Sequence, residues 1–126
     1  DSDWRPLPVL DSAALGNLRD VLEYGGNEAV QDLIATLQEE FAGLVGNAIL
    51  AQLEQDAEGL TLAAHTIKGS SGNFGATRLS RMAGELEEKA RQGEWQPIVA
   101  LVALLKEECD AAVTAFRKEF PPCPTS

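Results

Sequence analysis

The chain has 126 residues, 44% of them hydrophobic and 24% charged, and these proportions predict one soluble globular domain with a single core. The formal net charge of −10 opposes binding to a phosphate backbone, which requires clustered Lys and Arg side chains, so we expect no nucleic-acid partner. The longest nearly apolar run, PIVALVALL at 97–105, is too short to span a bilayer, so we expect no direct membrane contact.

The first residues, DSDWRPLPV at 1–9, have no apolar secretory core and so are not a signal peptide; they contain two prolines and look like a linker. They also lack an initiator methionine, which suggests a piece of a longer chain. The two cysteines, Cys109 and Cys123, have neither metal-ligand spacing nor a disulfide framework. We therefore expect no metal site and a reducing cytoplasm.

Two helical segments are predicted in the first half of the chain. Asp11 or Ser12 can cap a short helix that ends at the glycine pair 25–26. Asn27 can cap a longer helix, in which apolar residues recur at three- and four-residue steps to near Leu53.

Three further helices are predicted in the second half. One follows the cap residue Asp56 and ends at Gly75, one spans about 77–91, and one begins near residue 96. Four longer amphipathic helices with short links predict an all-α fold, an antiparallel four-helix bundle over 10–119 with a short additional N-terminal helix. Residues 120–126 are predicted to be a disordered tail.

The segment AAHTIKGSSGNFGATRL, 63–79, contains the only histidine of the chain and three glycines at three-residue intervals. Helix geometry places His65 on one face with Lys68, Gly69 and Gly72, away from the apolar stripe. A helix interior disfavours glycine by about 1 kcal/mol relative to alanine. We interpret the glycines on the histidine's face as clearance for an approaching protein.

Several catalytic sites do not fit this segment. One histidine cannot supply a di-iron or zinc ligand set, and the serines at 70 and 71 are not arranged with it as a nucleophilic triad. The glycines lack the order of a nucleotide-binding loop. The remaining interpretation makes His65 a nucleophile and phosphoryl carrier, with the cation of Lys68 beside the phosphoryl oxygens.

The residues HTIKGSSGNFGATRL resemble the signature of histidine-containing phosphotransfer (HPt) domains of bacterial multistep phosphorelays, H-x-[apolar]-K-G-[small]-[small]-x-x-[apolar]-G followed by Leu. The resemblance implies that His65 accepts a phosphoryl group on its ε nitrogen from a receiver-domain aspartate. It then passes the group to the aspartate of another response-regulator receiver, and Lys68 contacts the phosphoryl group.

The resemblance also assigns roles to residues around the histidine. Gly69, Gly72 and Ser70 would dock the receiver. Glu87, on the next helix, would hydrogen-bond the other imidazole nitrogen; it lies just off the apolar stripe of its helix, and a plain surface glutamate is the alternative. Arg91 could lie near the phosphoryl group or form an ion pair with Glu87.

The partners implied by the resemblance are the receiver domains of a hybrid kinase and of a response regulator. Mg²⁺ is expected on the receiver, and the domain itself is expected to have no cofactor and no ATPase or kinase activity. We expect a monomeric, cytoplasmic C-terminal module of a hybrid sensor kinase that is anchored in the inner membrane. Two alternatives remain open: direct phosphorylation from ATP by a separate chemotaxis-type kinase domain, and a helical module that binds receivers without phosphotransfer.

Overall fold

The computed structural model of the protein describes residues 3–122, and all regular structure in that range is helical. A short 3₁₀ turn precedes four α-helices. These are α1 (Gly16–Leu53), α2 (Ala57–Asn73), α3 (Thr77–Gln92) and α4 (Trp95–Glu119). The main helix contacts run in ring order, α1 with α2, α2 with α3, α3 with α4 and α4 with α1. The predicted all-α four-helix bundle is confirmed.

The apolar stripes that predicted the helices form the core. Their largest fully buried side chains come from every helix. They include Phe41, Ile34, Leu60, Ile67, Met82, Leu86, Ile98, Leu105 and Phe116. No helix of residues 3–122 is long and apolar enough to cross a bilayer.

The N-terminal region differs from the predicted short helix. Residues Ser12–Ala14 form a 3₁₀ turn, in which the side chain of Asp11 accepts a hydrogen bond from the backbone N–H of Ala13. The α-helix begins only at Gly16 and continues to residue 53, with one non-helical residue, Gly26, at φ 80° and ψ 179°. The predicted break is therefore a kink within α1, in a conformation that glycine adopts without steric cost.

Packing extends beyond both predicted ends of the bundle. Trp4 lies in the segment predicted to be a linker, yet only 3% of it is exposed, and it joins the core. Phe120, the first residue of the predicted tail, is 6% exposed. Residues 123–126 of the tail lie outside the described part of the chain.

The turn between α2 and α3 is held by the N-terminal segment. Gly75 is buried in this turn at φ +81°, and its carbonyl accepts a hydrogen bond from the backbone N–H of Asp11 at 2.9 Å. A Cβ atom on Gly75 would lie 3.0 Å from the carbonyl oxygen of Ala14. Glycine is therefore required at position 75 for two reasons: the positive φ, and the close approach of the N-terminal segment to the turn between α2 and α3.

Two glycine substitutions are expected to change stability in opposite directions. Gly75→Ala should lower the free energy of unfolding by about 2 kcal/mol, because alanine is strained at positive φ and its Cβ would crowd Ala14. Gly69→Ala should raise it by up to about 1 kcal/mol, because Gly69 is helical and a Cβ there meets no atom within 4 Å. Urea unfolding of both variants measures the difference, and equal effects would contradict this account.

Candidate functional site

His65 lies on the outer face of α2. Asp56 is the N-cap residue of this helix, and its side chain accepts a hydrogen bond from the N–H of Gly59 at 3.0 Å. Leu60 and Ile67 on the same helix are fully buried, and this core contact turns the His65 ring outward. The imidazole side chain is 61% exposed, so a partner protein can reach it.

Glu87 is the buried member of the site. It lies on α3 and is 1% exposed, and its Oε2 is 2.9 Å from Nδ1 of His65. The predicted contact with the imidazole is therefore present. The sequence placed Glu87 at the edge of the apolar stripe of α3, and the structure buries it because α2 packs over that edge.

Two cations complete the contacts of the Glu87 carboxylate. Nζ of Lys68 is 2.9 Å from Oε1, and a guanidinium nitrogen of Arg91, one turn along α3, is 2.6 Å from Oε2. The ion pair that the sequence left open for Arg91 is thus formed. With two cations around one carboxylate, the site carries net positive charge in a chain whose formal charge is −10.

These contacts determine the ionisation of Glu87. Burial raises the pKa of its carboxyl group, but the hydrogen bonds from Lys68 and His65 and the charges of Lys68 and Arg91 outweigh burial, and the net pKa lies below the ordinary value of 4.5. An ionised carboxylate can only accept hydrogen bonds, so Nδ1 of His65 carries the proton. When the ring carries this one proton, the lone pair is on Nε2.

The His65 side chain is largely exposed and lines a groove. Among residues 3–122, no hydrogen-bond partner contacts Nε2 of His65, and the ring lines a groove of about 560 Å³. We call this the apolar groove; its walls are Ala57, Glu58, Thr61, Leu62, His65, Glu87, Ala90 and Arg91. A nucleophilic nitrogen oriented by a carboxylate and exposed in a groove can attack an electrophile that a partner presents.

The two glycines predicted to clear the histidine's face have different surroundings. Both are exposed, and Gly69 has no atom within 4 Å of its would-be Cβ, which fits the predicted clearance. A Cβ on Gly72 would lie 3.2 Å from Oγ of Ser80 on α3. Gly72 therefore permits close packing of α2 on α3, a role that helix periodicity alone could not distinguish from clearance.

Ser70 is tied to α1 rather than to the imidazole. Its hydroxyl donates a hydrogen bond to Oε1 of Glu40 at 2.6 Å. This contact places one edge of α1 beside the outer face of α2. Ser70, which the resemblance assigns to receiver docking, therefore already has a hydrogen-bond partner on α1.

Gly84 is a site residue that the sequence analysis missed. A Cβ on Gly84 would lie 3.3 Å from Cδ of Lys68, so this glycine leaves room for the lysine stem on its way to Glu87. Ser80 supports the same residue, because its hydroxyl donates to the carbonyl oxygen of Lys68 at 3.1 Å. In the sequence, the signal for this close approach is an isolated glycine inside the helix predicted over about 77–91.

Cys109 is buried and takes no part in the contacts around His65. Burial, followed by the charges of Asp110 and Glu108, raises the pKa of the Cys109 thiol to about 12, so this side chain is a poor nucleophile. Within residues 3–122, no group of His, Cys, Asp and Glu side chains is placed to hold a metal ion. Cys123 lies outside the described residues.

The pH dependence of stability should report on the Glu87 carboxylate. Glu87→Gln should lower the free energy of unfolding by about 2 kcal/mol at neutral pH, through the loss of charged hydrogen bonds. A depressed folded-state pKa contributes stability above the ordinary value of 4.5, and this contribution disappears as the pH falls through the folded-state value. The difference between wild type and variant should therefore shrink below pH 4.5 in urea unfolding.

Glu88→Gln is the matched control for this experiment. Glu88 is exposed on the same helix and pairs only with Gln92 among the described contacts, at 3.1 Å. Its substitution should leave the pH profile unchanged. A Glu87→Gln profile parallel to that of wild type from pH 7 to pH 3 would show that the buried contacts do not depress the pKa of Glu87.

The family comparison covers most of the bundle. The family model described as the Hpt domain matches residues 27–115, a range that contains His65, Lys68 and Glu87. Among curated proteins, none is similar enough to count as a match.

One solved structure is similar over nearly its whole length. It is the crystal structure of histidine-containing phosphotransfer protein B (HptB) from Pseudomonas aeruginosa PAO1, with 32% sequence identity and a TM-score of 0.78. The alignment covers 89% of this chain and 94% of that chain. From the matched range, the shared bundle and the histidine on its outer face, we conclude that the chain belongs to the Hpt domain family.

Proposed function

We propose that His65 accepts a phosphoryl group from the aspartate of one receiver domain and passes it to the aspartate of another. Membership of the Hpt domain family supports the general role in histidine phosphotransfer. The observation that supports this mechanism for the chain itself is the hydrogen bond from Nδ1 of His65 to the ionised Glu87, at 2.9 Å. It leaves the lone pair on Nε2, in a ring whose side chain is 61% exposed.

The transfer step follows from this tautomer. The Nε2 lone pair attacks the phosphorus of an aspartyl phosphate, an N–P bond forms, and the O–P bond breaks with its electron pair on the aspartate carboxylate. The ring retains its Nδ1 proton and becomes positively charged. Glu87, in contact with that proton, stabilises the charge. Attack by a second aspartate on phosphorus reverses these steps.

Lys68 and Arg91 are proposed to contact the phosphoryl group. Both end on the carboxylate that holds the imidazole, and their side chains are 42% and 56% exposed, so both can turn toward a group on Nε2. Their positive charge offsets that of the phosphoryl oxygens. The Mg²⁺ ion that the transfer needs would come with the receiver, and the domain would contribute no ATP site.

The cellular setting is part of the same proposal. The partners would be the receiver of a hybrid sensor kinase and the receiver of a response regulator, and the domain would act in the cytoplasm as a monomeric C-terminal module of an inner-membrane kinase. The support for this setting is the resemblance of the signature around His65 to those of phosphorelay carriers.

A labelling experiment tests the proposed function. Receiver domains phosphorylated with acetyl phosphate should transfer an acid-labile, alkali-stable phosphate to the wild type, and His65→Gln should take up none. A panel of receivers, assayed with both proteins side by side, identifies those that react.

Two outcomes would contradict the proposal. Labelling from ATP by a chemotaxis-type kinase domain without any receiver would favour direct phosphorylation of the bundle. Receiver binding that His65→Ala leaves unchanged, together with no labelling by any receiver, would favour a binding module without phosphotransfer.

Gly69→Gln should separate docking from folding. The long side chain would occupy the open space beside His65, so transfer from a receiver should slow by about 10-fold or more, because close approach sets the rate. Stability should not fall, since glutamine is a better helix former than glycine. Gly46→Gln is the matched control. Gly46 is also exposed, and its would-be Cβ meets no atom within 4 Å. It lies on α1, and its neighbour Val45 lines a pocket with residues of α4, away from His65. Unchanged transfer by Gly69→Gln would contradict the clearance role.

A further inference from the structure

Two grooves lie along the seam between α2 and α3, on either side of the Lys68–Glu87 contact. The apolar groove contains His65. The second, which we call the charged groove, begins at Lys68 and Gly72 and has a volume of about 660 Å³. Its other lining residues are Thr77, Ser80, Arg81, Gly84, Glu85, Glu88 and Lys89. A receiver that reaches His65 could lie over either groove, so their chemistry decides which surface it covers.

The apolar groove has an exposed leucine at its rim. Leu62 is 67% exposed and lies three residues before His65, on the same outer face of α2. Ala90, which is fully buried, forms the floor. A single exposed leucine is ordinary on a protein surface, but this one lines the same groove as the nucleophile. A few well-packed residues near the centre of an interface contribute most of its binding energy.

The charged groove is a poor place for a partner to cover. Arg81, Lys89, Glu85 and Glu88 line it with both signs of charge. Covering them would remove their hydration, and the loss is recovered only if every charge finds a partner. Among the charged side chains of the apolar groove, Glu87 and Arg91 are already paired with each other, whereas Glu58, four residues before Leu62, is exposed. A basic group of the partner can pair with it at the rim.

We infer that the receiver docks on the apolar groove, with an apolar side chain packed between Leu62 and Ala90 and a basic side chain facing Glu58. The charged groove stays in solvent. This inference rests on the proposed function, because the occupant is the receiver that exchanges the phosphoryl group with His65. Because His65 itself lines this groove, a receiver that covers the groove also reaches the histidine, and the exposed Glu58 gives its basic side chain a partner.

Four variants test the docking surface, with the receiver from the panel that labels the wild type fastest. Leu62→Asp should lower kcat/KM for transfer by about 10-fold or more, as expected for an interface anchor. Leu53→Asp is the matched control, because Leu53 is 70% exposed but lies at the end of α1 outside the groove. Arg81→Glu in the charged groove should transfer like wild type. Glu58→Gln should reduce the association rate and weaken its dependence on salt.

A small phosphodonor separates docking from chemistry. Phosphoramidate phosphorylates an imidazole nitrogen with release of ammonia and needs no docking surface. Labelling of wild type and Leu62→Asp by phosphoramidate should therefore be equal, and the circular dichroism of the two proteins should match.

Three results would overturn the inference. Transfer from the receiver that is as fast for Leu62→Asp as for wild type would remove the apolar groove from the interface. A loss with Arg81→Glu that equals or exceeds the loss with Leu62→Asp would place the receiver over the charged groove. A panel in which no receiver labels the wild type would overturn the proposed function, and this docking surface with it.

Discussion

The buried carboxylate of Glu87 is the constraint on which the site depends. A carboxylate that is 1% exposed costs several kcal/mol unless charged or hydrogen-bonding groups surround it. Here the partners are the imidazole of His65 and the ammonium group of Lys68 from α2, and the guanidinium of Arg91 from α3. Because two of the three partners come from the neighbouring helix, the same contact joins α2 to α3 and selects the tautomer of the histidine.

Small residues set the distance at which this contact can form. A Cβ on Gly72 would lie 3.2 Å from Oγ of Ser80, and one on Gly84 would lie 3.3 Å from Cδ of Lys68. A side chain at either position would therefore require its neighbour to shift by a few tenths of an ångström. At Gly84 that neighbour is the stem of the lysine whose Nζ contacts Glu87 at 2.9 Å.

The amphipathic stripes predicted most of the fold, because in a bundle each helix buries one face against its neighbours. The cap at Asp56 could be predicted for the same local reason. Burial of Trp4 depends on how the N-terminal segment crosses the end of the bundle. Burial of Glu87 depends on which helix covers the edge of α3. Such contacts between segments distant in sequence leave no periodic signal in a single chain.

Charge balance explains why such a site suits a carrier in the proposed transfer. Before transfer, Glu87 holds two cations and a neutral ring. After transfer the ring is positive and the phosphoryl group negative, so Glu87 remains paired with the ring while the exposed ends of Lys68 and Arg91 are free to follow the phosphoryl oxygens. Each charge then has a partner in both states of the proposed transfer.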